Sequence, residues 1–292
     1  YSTRGCIRHC PFCAVPILEP KYQAYLPLKE RIEYTRRLYG DQQNLLLMDN
    51  NVLASKQLAT IIEDIRSCGF IPGAKYKCPN QYDIAIRNLR LGLNDRAYIR
   101  KGWKLLCELN DLRRLSEDQR AIIYHIRESN GLLHIETSTK EALIKTYKDF
   151  ATYFTNIYAK KKGRLRYIDF NQGVDGRLFT DDKVKLLTQI PVRPLRIAFD
   201  DIKTEAAYTK ALTMSAKAGM REFSNYLLYN FKDKPEDLYH RMRINVDLCE
   251  ALDVNIYSFP MKYHPIRDEH SHDRDYIGEH WNRKYIRAVQ AI

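Results

Sequence analysis

The chain has 292 residues, 45% of them hydrophobic, and a formal net charge of +12. Such a chain can bury a full hydrophobic core, so we expect a globular protein with one large α/β domain or two smaller ones. Its seven cysteines are irregularly spaced, which excludes the paired framework of a small secreted domain, and no stretch approaches the roughly 20 apolar residues of a membrane helix. We therefore expect a cytoplasmic protein that makes no membrane contact. Because the chain begins at Tyr1 rather than Met, we also expect it to be part of a longer polypeptide.

The first motif is the stretch STRGCIRHCPFCAVP, which carries Cys6, Cys10 and Cys13 at C-x3-C-x2-C spacing, with no further cysteine until Cys68. A structural zinc site and an ordinary ferredoxin site each use four protein ligands, whereas three thiolates leave one metal open. His9 is disfavoured as a fourth ligand, because adjacent residues on a tight loop point apart. The spacing predicts a loop that holds three corners of an iron–sulfur cubane and leaves one iron free to bind a substrate or cofactor.

A repeat of strands and helices follows this loop. Five apolar runs have the length and composition of buried strands in a parallel sheet: 44–50, 164–173, 194–201, 222–231 and 253–261. Between them, stretches such as 51–70 and 234–253 carry apolar residues at helical spacing. If the residues before Cys6 are the tail of a first strand, the repeat predicts six βα units that close into a full or partial barrel. The chemistry of such barrels collects in the loops that follow the strands.

One connection, from residue 70 to residue 164, is far too long for a βα unit. Two capping-box pairs predict helices inside it: Ser116 with Gln119 before 117–129, and Ser138 with Glu141 before 140–160. We therefore divide the chain into three segments: 1–73 as the first part of the barrel, 74–162 as a basic insertion of about three helices, and 163–292 as the second part of the barrel.

The insertion carries much of the positive charge, with 18 Lys and Arg against 10 Asp and Glu in residues 74–162. This excess favours a polyanionic partner, with a solvated helical surface as the alternative. The candidates for phosphate contacts are Arg87, Arg90, Arg100, Lys101, Arg113 and Arg114. Aromatic residues stand at helical spacing in the same segment, so we expect them in a core rather than stacked on bases: Tyr98, Trp103, Tyr124, Tyr147, Tyr153 and Tyr158.

The loop with Cys6, Cys10, Phe12 and Cys13 resembles the signature of the radical S-adenosylmethionine (radical SAM) superfamily, C-x3-C-x-aromatic-C. The resemblance implies a partial (β/α)6 TIM-like barrel, interrupted here by the helical insertion between units 2 and 3. It also implies a 4Fe-4S cluster held by the three cysteines, with S-adenosylmethionine on the open iron. An electron from an external donor such as flavodoxin or ferredoxin then cleaves the cofactor to methionine and a 5′-deoxyadenosyl radical, which abstracts hydrogen from the substrate. That substrate stays unidentified, and the basic charge makes RNA or another polyanion a candidate.

Further cofactor contacts carry over residue by residue, beginning with Phe12 of the loop itself. Asp49 and Asn50, in MDNN, end the second strand, where family members often place a Gly-Gly-Glu run against the methionyl amino group. The polar residues after the next two strands resemble the set that many members place at the cofactor carboxylate and ribose: Gln172, Asp175, Arg177 and Asp200. The alternatives are a helix cap for Asp175 and a turn residue for Asp200. After the fifth strand, YNFKDKPED replaces the Gly-Pro-Gly-Glu turn of many relatives. We therefore expect this segment to contact the substrate or cofactor differently from the turn in those relatives.

Two further groups of residues complete the candidates. The C-terminal histidines offer a second metal site, although their stretch is more typical of a polar loop before a last helix from Tyr276: His264, His270, His272 and His280. The cysteines outside the loop are expected to be small buried residues, with Cys78 as an alternative radical quencher or thiol donor. The alternative function is a non-catalytic iron–sulfur protein that binds nucleic acid. The missing fourth ligand favours the enzyme, because a structural cluster has no use for an open iron.

Overall fold

A computed structural model describes residues 1–291. Its helices, α1 to α12 in chain order, are Val15–Leu18, Leu28–Tyr39, Leu58–Ser67, Gln81–Arg90, Asp95–Asn110, Glu117–Ser129, Lys140–Lys145, Tyr147–Ala159, Asp181–Leu187, Glu205–Lys217, Pro235–Leu252 and Arg283–Gln290. Its strands, β1 to β7, are Leu45–Leu47, Lys75–Tyr76, Arg164–Leu165, Ile168–Phe170, Leu195–Arg196, Glu222–Tyr229 and Asn255–Lys262. No helix in this range combines the length and the apolar character needed to cross a bilayer.

Five of the strands run parallel and neighbour one another in chain order. β1 pairs with β4, with Leu45 opposite Ile168, and β5, β6 and β7 form a three-stranded sheet. Two isolated bridges, Ile168–Val192 and Val174–Ile197, connect β4 to the segment of β5. The predicted strands at these five places are thus confirmed. The paired strands within residues 1–291 form no closed barrel.

Helices cover one face of this parallel array. Asn225 on β6 donates to the Tyr208 hydroxyl of α10 at 2.7 Å, which identifies the covered face. Leu47, Phe170 and Phe223 alternate with the residues of the opposite face and are fully buried. Burying such a side chain contributes roughly 1.5 to 3 kcal/mol, so this face supplies much of the stability of the sheet.

The residues before Cys6 form no strand, which corrects the expectation of a sixth strand. Their backbone makes a single antiparallel bridge, between Arg4 and Gln23. Ser2 and Thr3 donate instead to the carboxylate of Asp49, which follows β1. A side-chain acceptor therefore satisfies these backbone groups in place of a neighbouring strand.

The last helix begins later than predicted, at Arg283 rather than Tyr276. Asn282 caps it by accepting a hydrogen bond from the Tyr285 N–H. The preceding stretch is held outside any helix, because the Gly278 N–H donates to Asn230 Oδ1 at 2.8 Å. The residues from Tyr276 to Asn282, predicted as the start of this helix, therefore lie outside it.

The chain divides into two compact units. The core unit comprises Tyr1–Arg31, Asn44–Ala74 and the described chain from Arg166 onward, and the helical unit comprises Ile32–Gln43 and Lys75–Leu165. The predicted insertion, 74–162, falls almost wholly in the helical unit.

The predicted insertion, 74–162, contains α4 to α8, five helices where about three were predicted. The Ser116–Gln119 capping box at α6 is confirmed. The second pair is wrong: Thr139 caps α7, while the Ser138 hydroxyl donates to a backbone carbonyl oxygen. Thr146 then separates α7 from α8, because its hydroxyl donates back to the last turn of α7.

The aromatic residues of the helical unit mostly pack in its core, as predicted. Tyr98 is buried, and three others are partly buried against the same core: Tyr147, Tyr153 and Tyr158. The Trp103 indole N–H donates to the Leu133 carbonyl at 3.1 Å. For Tyr124 the prediction is wrong, since its side chain is exposed on α6.

Candidate functional site

The three cysteines of the opening loop lie in the core unit, and Cys10 and Cys13 enclose a turn. The Cys13 N–H donates to the Cys10 carbonyl at 3.1 Å, and all three thiols are free and partly buried. Two sulfurs accept backbone hydrogen bonds, Cys6 from the Arg8 N–H at 3.4 Å and Cys13 from the Val15 N–H. Amide donors of this kind stabilise negative charge on sulfur.

The thiols interact electrostatically with each other and with two charged side chains. Burial raises the pKa of Cys10. The charges of Cys13, Asp200 and Cys6 raise this pKa further, and the charge of Arg177 lowers it. Burial also raises the pKa of Cys13. A cationic metal centre offsets the mutual repulsion of such thiolates when it binds them. Asp200 and Arg177, which follow two different strands, therefore border the cysteine loop.

Asp49 holds the chain just before this loop. Its side chain is fully buried after β1, and its Oδ1 accepts from the Ser2 N–H at 2.9 Å, the Ser2 hydroxyl at 2.8 Å and the Thr3 hydroxyl at 2.7 Å, as well as from the Thr3 N–H. Its Oδ2 is buried with no hydrogen-bond partner within residues 1–291. One carboxylate oxygen thus anchors the chain, and the other is a buried acceptor without a partner.

Glu19 follows the loop and holds the chain just before it, and the sequence did not predict this role. It accepts from the Arg4 guanidinium at 2.8 Å, the Gly5 N–H at 2.8 Å and the Asn50 amide at 3.0 Å. Burial acts to raise the pKa of Glu19, but the bonds from Gly5 and Arg4 outweigh it and the pKa is lowered. The predicted cofactor residue Asn50 is therefore engaged with Glu19.

Gly5 is required where it stands. Its φ is +71°, and a Cβ there would lie 2.6 Å from the Lys21 carbonyl oxygen. A larger residue would displace the chain next to Cys6.

After β4, Asp175 connects its own turn to the cysteine loop. Its carboxylate accepts from Arg8 at 2.9 Å and from the Arg177 guanidinium at 2.7 and 2.9 Å. Burial acts to raise the pKa of Asp175, but the bonds from Arg177 outweigh it and the pKa is lowered. Asp175 caps the 3-10 turn Gly176–Leu178, not α9. Gln172 is exposed, and no hydrogen bond joins its side chain to the rest of the site among the described residues.

Asp200 follows β5 and carries the most perturbed carboxyl of the site. Burial raises the pKa of Asp200 to about 6, although Arg241 and Arg177 act in the opposite direction. Within residues 1–291 no group donates a hydrogen bond to its carboxylate, whose surface is partly exposed. A carboxyl that is crowded by protein yet lacks a donor is typical of a ligand-binding position.

Arg241 on α11 fixes the backbone beneath Asp200, and the sequence did not predict it. Its guanidinium is fully buried and donates to the carbonyls of Phe199 at 3.0 Å, Asp200 at 2.9 Å and Leu228 at 2.7 Å, and to Asp233 at 3.2 Å. The available signal was its helical spacing from Leu238, which places an arginine on the apolar face of α11. Arg241 thus joins the ends of β5 and β6.

Phe12 packs on the segment that follows β6. Its ring meets Phe231 edge to face with centroids 5.9 Å apart, and the Phe231 and Tyr263 ring centroids are 4.5 Å apart.

The Tyr22 hydroxyl is buried with no hydrogen-bond partner in the described chain. Burial raises the pKa of Tyr22, and so do the charges of Cys6 and Asp49.

No group of three or more His, Cys, Asp or Glu side chains in the described chain is arranged to hold a metal ion. The C-terminal histidines therefore form no second metal site; His264 Nε2, for example, lies 3.1 Å from the Ser271 carbonyl. For the cysteine loop the relevant group is a cubane, in which each thiolate binds a different iron, so the sulfurs need not converge on one ion. Three free thiols on one loop, two of them with amide donors, fit such a cluster.

In the helical unit, three of the six side chains predicted to contact phosphate instead interact with other groups of the protein. Arg87 donates to the Leu38 carbonyl, Arg90 lies 5.0 Å from the Tyr147 ring, and Lys101 donates to Gln81. The exposed remainder is Arg100, Arg113 and Arg114.

The cysteines outside the loop only partly follow the prediction. Cys68 is buried, whereas Cys78, Cys107 and Cys249 are partly exposed. Cys78 lies 3.9 Å from the Lys161 ammonium group.

No protein-family model matches this sequence, and no curated protein is significantly similar to it.

Proposed function

We propose that this protein is a radical SAM enzyme whose cluster is held by Cys6, Cys10 and Cys13. The observation that carries the proposal is the set of three free thiols on one loop, without a fourth ligand, bordered by Asp200 and Arg177. A closed tetrahedral or ferredoxin-type site would require one more protein ligand. The open position is therefore available to a molecule other than the protein.

The proposed fold is a partial barrel of the radical SAM type. Five parallel strands in chain order support it, because successive βα units arrange strands in this way. The loops that follow β1, β4 and β5 carry Asp49, Asp175 and Asp200, and the cysteine loop lies at the same ends. This placement matches the rule that barrel chemistry collects after the strands.

When bound, the cluster and S-adenosylmethionine supply a reductive cleavage that yields a 5′-deoxyadenosyl radical, with the electron coming from a donor such as flavodoxin or ferredoxin. The protein binds and orients the cofactor. Asp49 Oδ2 is an unpaired buried acceptor for the cofactor ammonium group. Arg177 supplies positive charge for the cofactor carboxylate, and Asp200 an acceptor for a hydroxyl or amino group. Phe12 shields the loop from water through its packing on Phe231.

The roles of the remaining predicted residues are narrower. Asn50 orients Glu19, and Asp175 orients Arg177 and Arg8, so both act through other side chains. Gln172 is exposed and contributes to the cofactor only if a bound ligand reaches it.

The test is metal content followed by turnover. After anaerobic reconstitution, the wild type should carry about four iron and four sulfide ions per chain, the content of one cubane. Cys10→Ala should lose most of the iron, whereas the control Cys249→Ala should keep it. With dithionite and S-adenosylmethionine, the wild type should release 5′-deoxyadenosine and Cys13→Ala should not. Stoichiometric zinc without iron would overturn the proposal.

A second candidate function, a non-catalytic iron–sulfur protein that binds nucleic acid, is favoured by the excess of positive charge in residues 74–162. It predicts a full cluster and nucleic-acid binding with no release of 5′-deoxyadenosine. The same assay therefore separates the two functions.

A further inference from the structure

One face of the parallel array is not covered by helices of the described chain, and in the proposed partial barrel this would be the inner face. This open face consists of side chains at alternate strand positions and in register across the strands, of which Ser224 and Leu228 are buried: Leu46, Asp169, Arg196, Ser224, Tyr226, Leu228, Tyr257, Phe259 and Met261. Its large apolar members include Tyr257 with 67% exposure, Leu46 with 58% and Met261 with 48%. Exposed apolar residues gathered on one surface mark a binding site.

An ion pair on β4 and β5 forms the polar centre of the open face. Arg196 donates to Asp169 through Nε and Nη2, both at 2.8 Å, and through Nη1 to the Ser224 hydroxyl at 3.1 Å. Only 11% of the Arg196 side chain and 19% of that of Asp169 are exposed. Because Asp169 neutralises Arg196, the pair offers an isolated anion little attraction. It offers a rigid guanidinium plane with two N–H groups unused.

Aromatic rings lie beside this guanidinium on β6 and β7 and are inclined to one another, Tyr226 to Phe259 by 40° and Tyr257 to Phe259 by 63°. The Arg196 guanidinium lies 5.7 Å from the Tyr226 ring centroid and 5.4 Å from that of Phe259. Phe259 in turn lies 4.7 Å from Tyr257. The Tyr226 hydroxyl donates to the Asn171 carbonyl at 3.0 Å, which fixes its ring. The face therefore presents π surfaces held in place by the strands.

We propose that the open face binds a base of a single-stranded nucleic acid. The base would stack on Tyr257, whose ring Phe259 supports edge to face, and the remaining Arg196 N–H groups would donate to its ring or carbonyl acceptors. An aliphatic chain would make no use of the guanidinium plane, and a carboxylate ligand would lie next to Asp169. The chain as a whole carries a net charge of +12, most of it in residues 74–162, and this charge favours association with a polyanion.

This inference names the substrate class of the proposed enzyme and in that respect rests on the proposed function. The binding step itself needs neither the cluster nor S-adenosylmethionine, because no residue of the open face belongs to the cysteine loop. The two proposals can therefore fail separately.

The experiment measures the binding of a fluorescein-labelled adenosine RNA octamer and of an abasic octamer of the same length to cluster-free full chain at fixed salt. We expect the RNA to bind, and the abasic strand to bind less tightly. Tyr257→Ala and Phe259→Ala should each weaken RNA binding about 5- to 100-fold, and Tyr257→Phe should keep it, because stacking does not use the hydroxyl. Tyr239→Ala, which removes a 70% exposed tyrosine from α11, is the matched control and should bind as the wild type does.

Equal affinity for the RNA and the abasic strand would overturn the inference, since the backbone alone would then account for binding. An unchanged affinity in Tyr257→Ala and Phe259→Ala would do the same. Sedimentation that shows a dimer broken by Tyr257→Ala would assign the face to a second copy of the chain instead. Release of 5′-deoxyadenosine is measured separately on the reconstituted wild type without RNA. Its absence would overturn the enzyme proposal and leave the base-binding result standing.

Discussion

Replacing Asp200 with asparagine should stabilise the core unit above pH 6. Burial raises the pKa of Asp200 to about 6, from an ordinary value of about 3.9. The folded state therefore holds the Asp200 proton more tightly than the unfolded state does, and the stability linked to this group is fully present below about pH 4 and lost as the pH rises through 6. Asparagine has nearly the same shape and cannot ionise, so the variant avoids this loss.

The magnitude follows from the two pKa values. The difference between a pKa of about 3.9 and one of about 6 corresponds to about 3 kcal/mol in the free energy of unfolding. Because solvent screens the partly exposed carboxyl, we expect a change of roughly 2 to 3 kcal/mol. The free energy of unfolding of Asp200→Asn should equal that of the wild type near pH 4 and exceed it by this amount at pH 8. Other titrating groups contribute equally to both proteins and cancel in the difference.

The assay is urea unfolding of cluster-free protein, followed by tryptophan fluorescence. The chain has two tryptophans, and Trp281 belongs to the core unit while Trp103 belongs to the helical unit. In a Trp103→Phe background, the signal reports the unfolding that Asp200 affects. The proposed role of Asp200 adds an opposite effect, because Asp200→Asn should weaken S-adenosylmethionine binding to reconstituted protein by about 1 to 3 kcal/mol. Identical pH profiles for Asp200→Asn and its parent would refute the reasoning and make Asp200 an ordinary turn residue.

Three further predictions concern other parts of the molecule. Arg241→Met should lower the free energy of unfolding by about 3 to 5 kcal/mol, because it leaves buried acceptors unpaired, while the exposed Arg243→Met should cost less than about 1 kcal/mol in the same urea titration. Gly5→Ala should reduce the iron bound after reconstitution, since a Cβ would lie 2.6 Å from a backbone carbonyl; full iron content would contradict this. Reversing Arg113 and Arg114 to Glu should flatten the dependence of log RNA affinity on log salt by about 0.7 for each phosphate that is no longer neutralised, and an unchanged slope in a gel-shift salt series would exclude these two residues.

The strands could be predicted from the sequence because their apolar character is local. Each of the five predicted runs contains a strand of the parallel array. Where the predictions are wrong, a side chain competes with the backbone pattern. Asp49 takes the hydrogen bonds that a first strand would have made, and the Thr146 hydroxyl interrupts a helix predicted as continuous. Both effects depend on partners or geometry that an apolar pattern does not contain.

Within the candidate site, the cysteines could be predicted from their spacing. The residues that position the site, Glu19 and Arg241, could not. Glu19 bonds to Arg4 and Asn50, which lie 15 and 31 residues away along the chain. Arg241 reaches the Asp200 carbonyl across 41 residues. Such contacts form only when strands are neighbours in space, and a single sequence carries no periodic signal for them.

The support of the cysteine loop at both of its ends determines how the site would be filled. Asp49 fixes Ser2 and Thr3 before the loop, and Glu19, which follows the loop, accepts from the Gly5 N–H before it, so both ends of the loop are held when the core unit folds. In a zinc finger, by contrast, the metal must also provide the free energy of folding. Here little conformational entropy remains to be lost at the moment of binding. The cluster should therefore be removable and replaceable without unfolding the chain, so that far-ultraviolet circular dichroism stays constant through cycles of chelation and reconstitution.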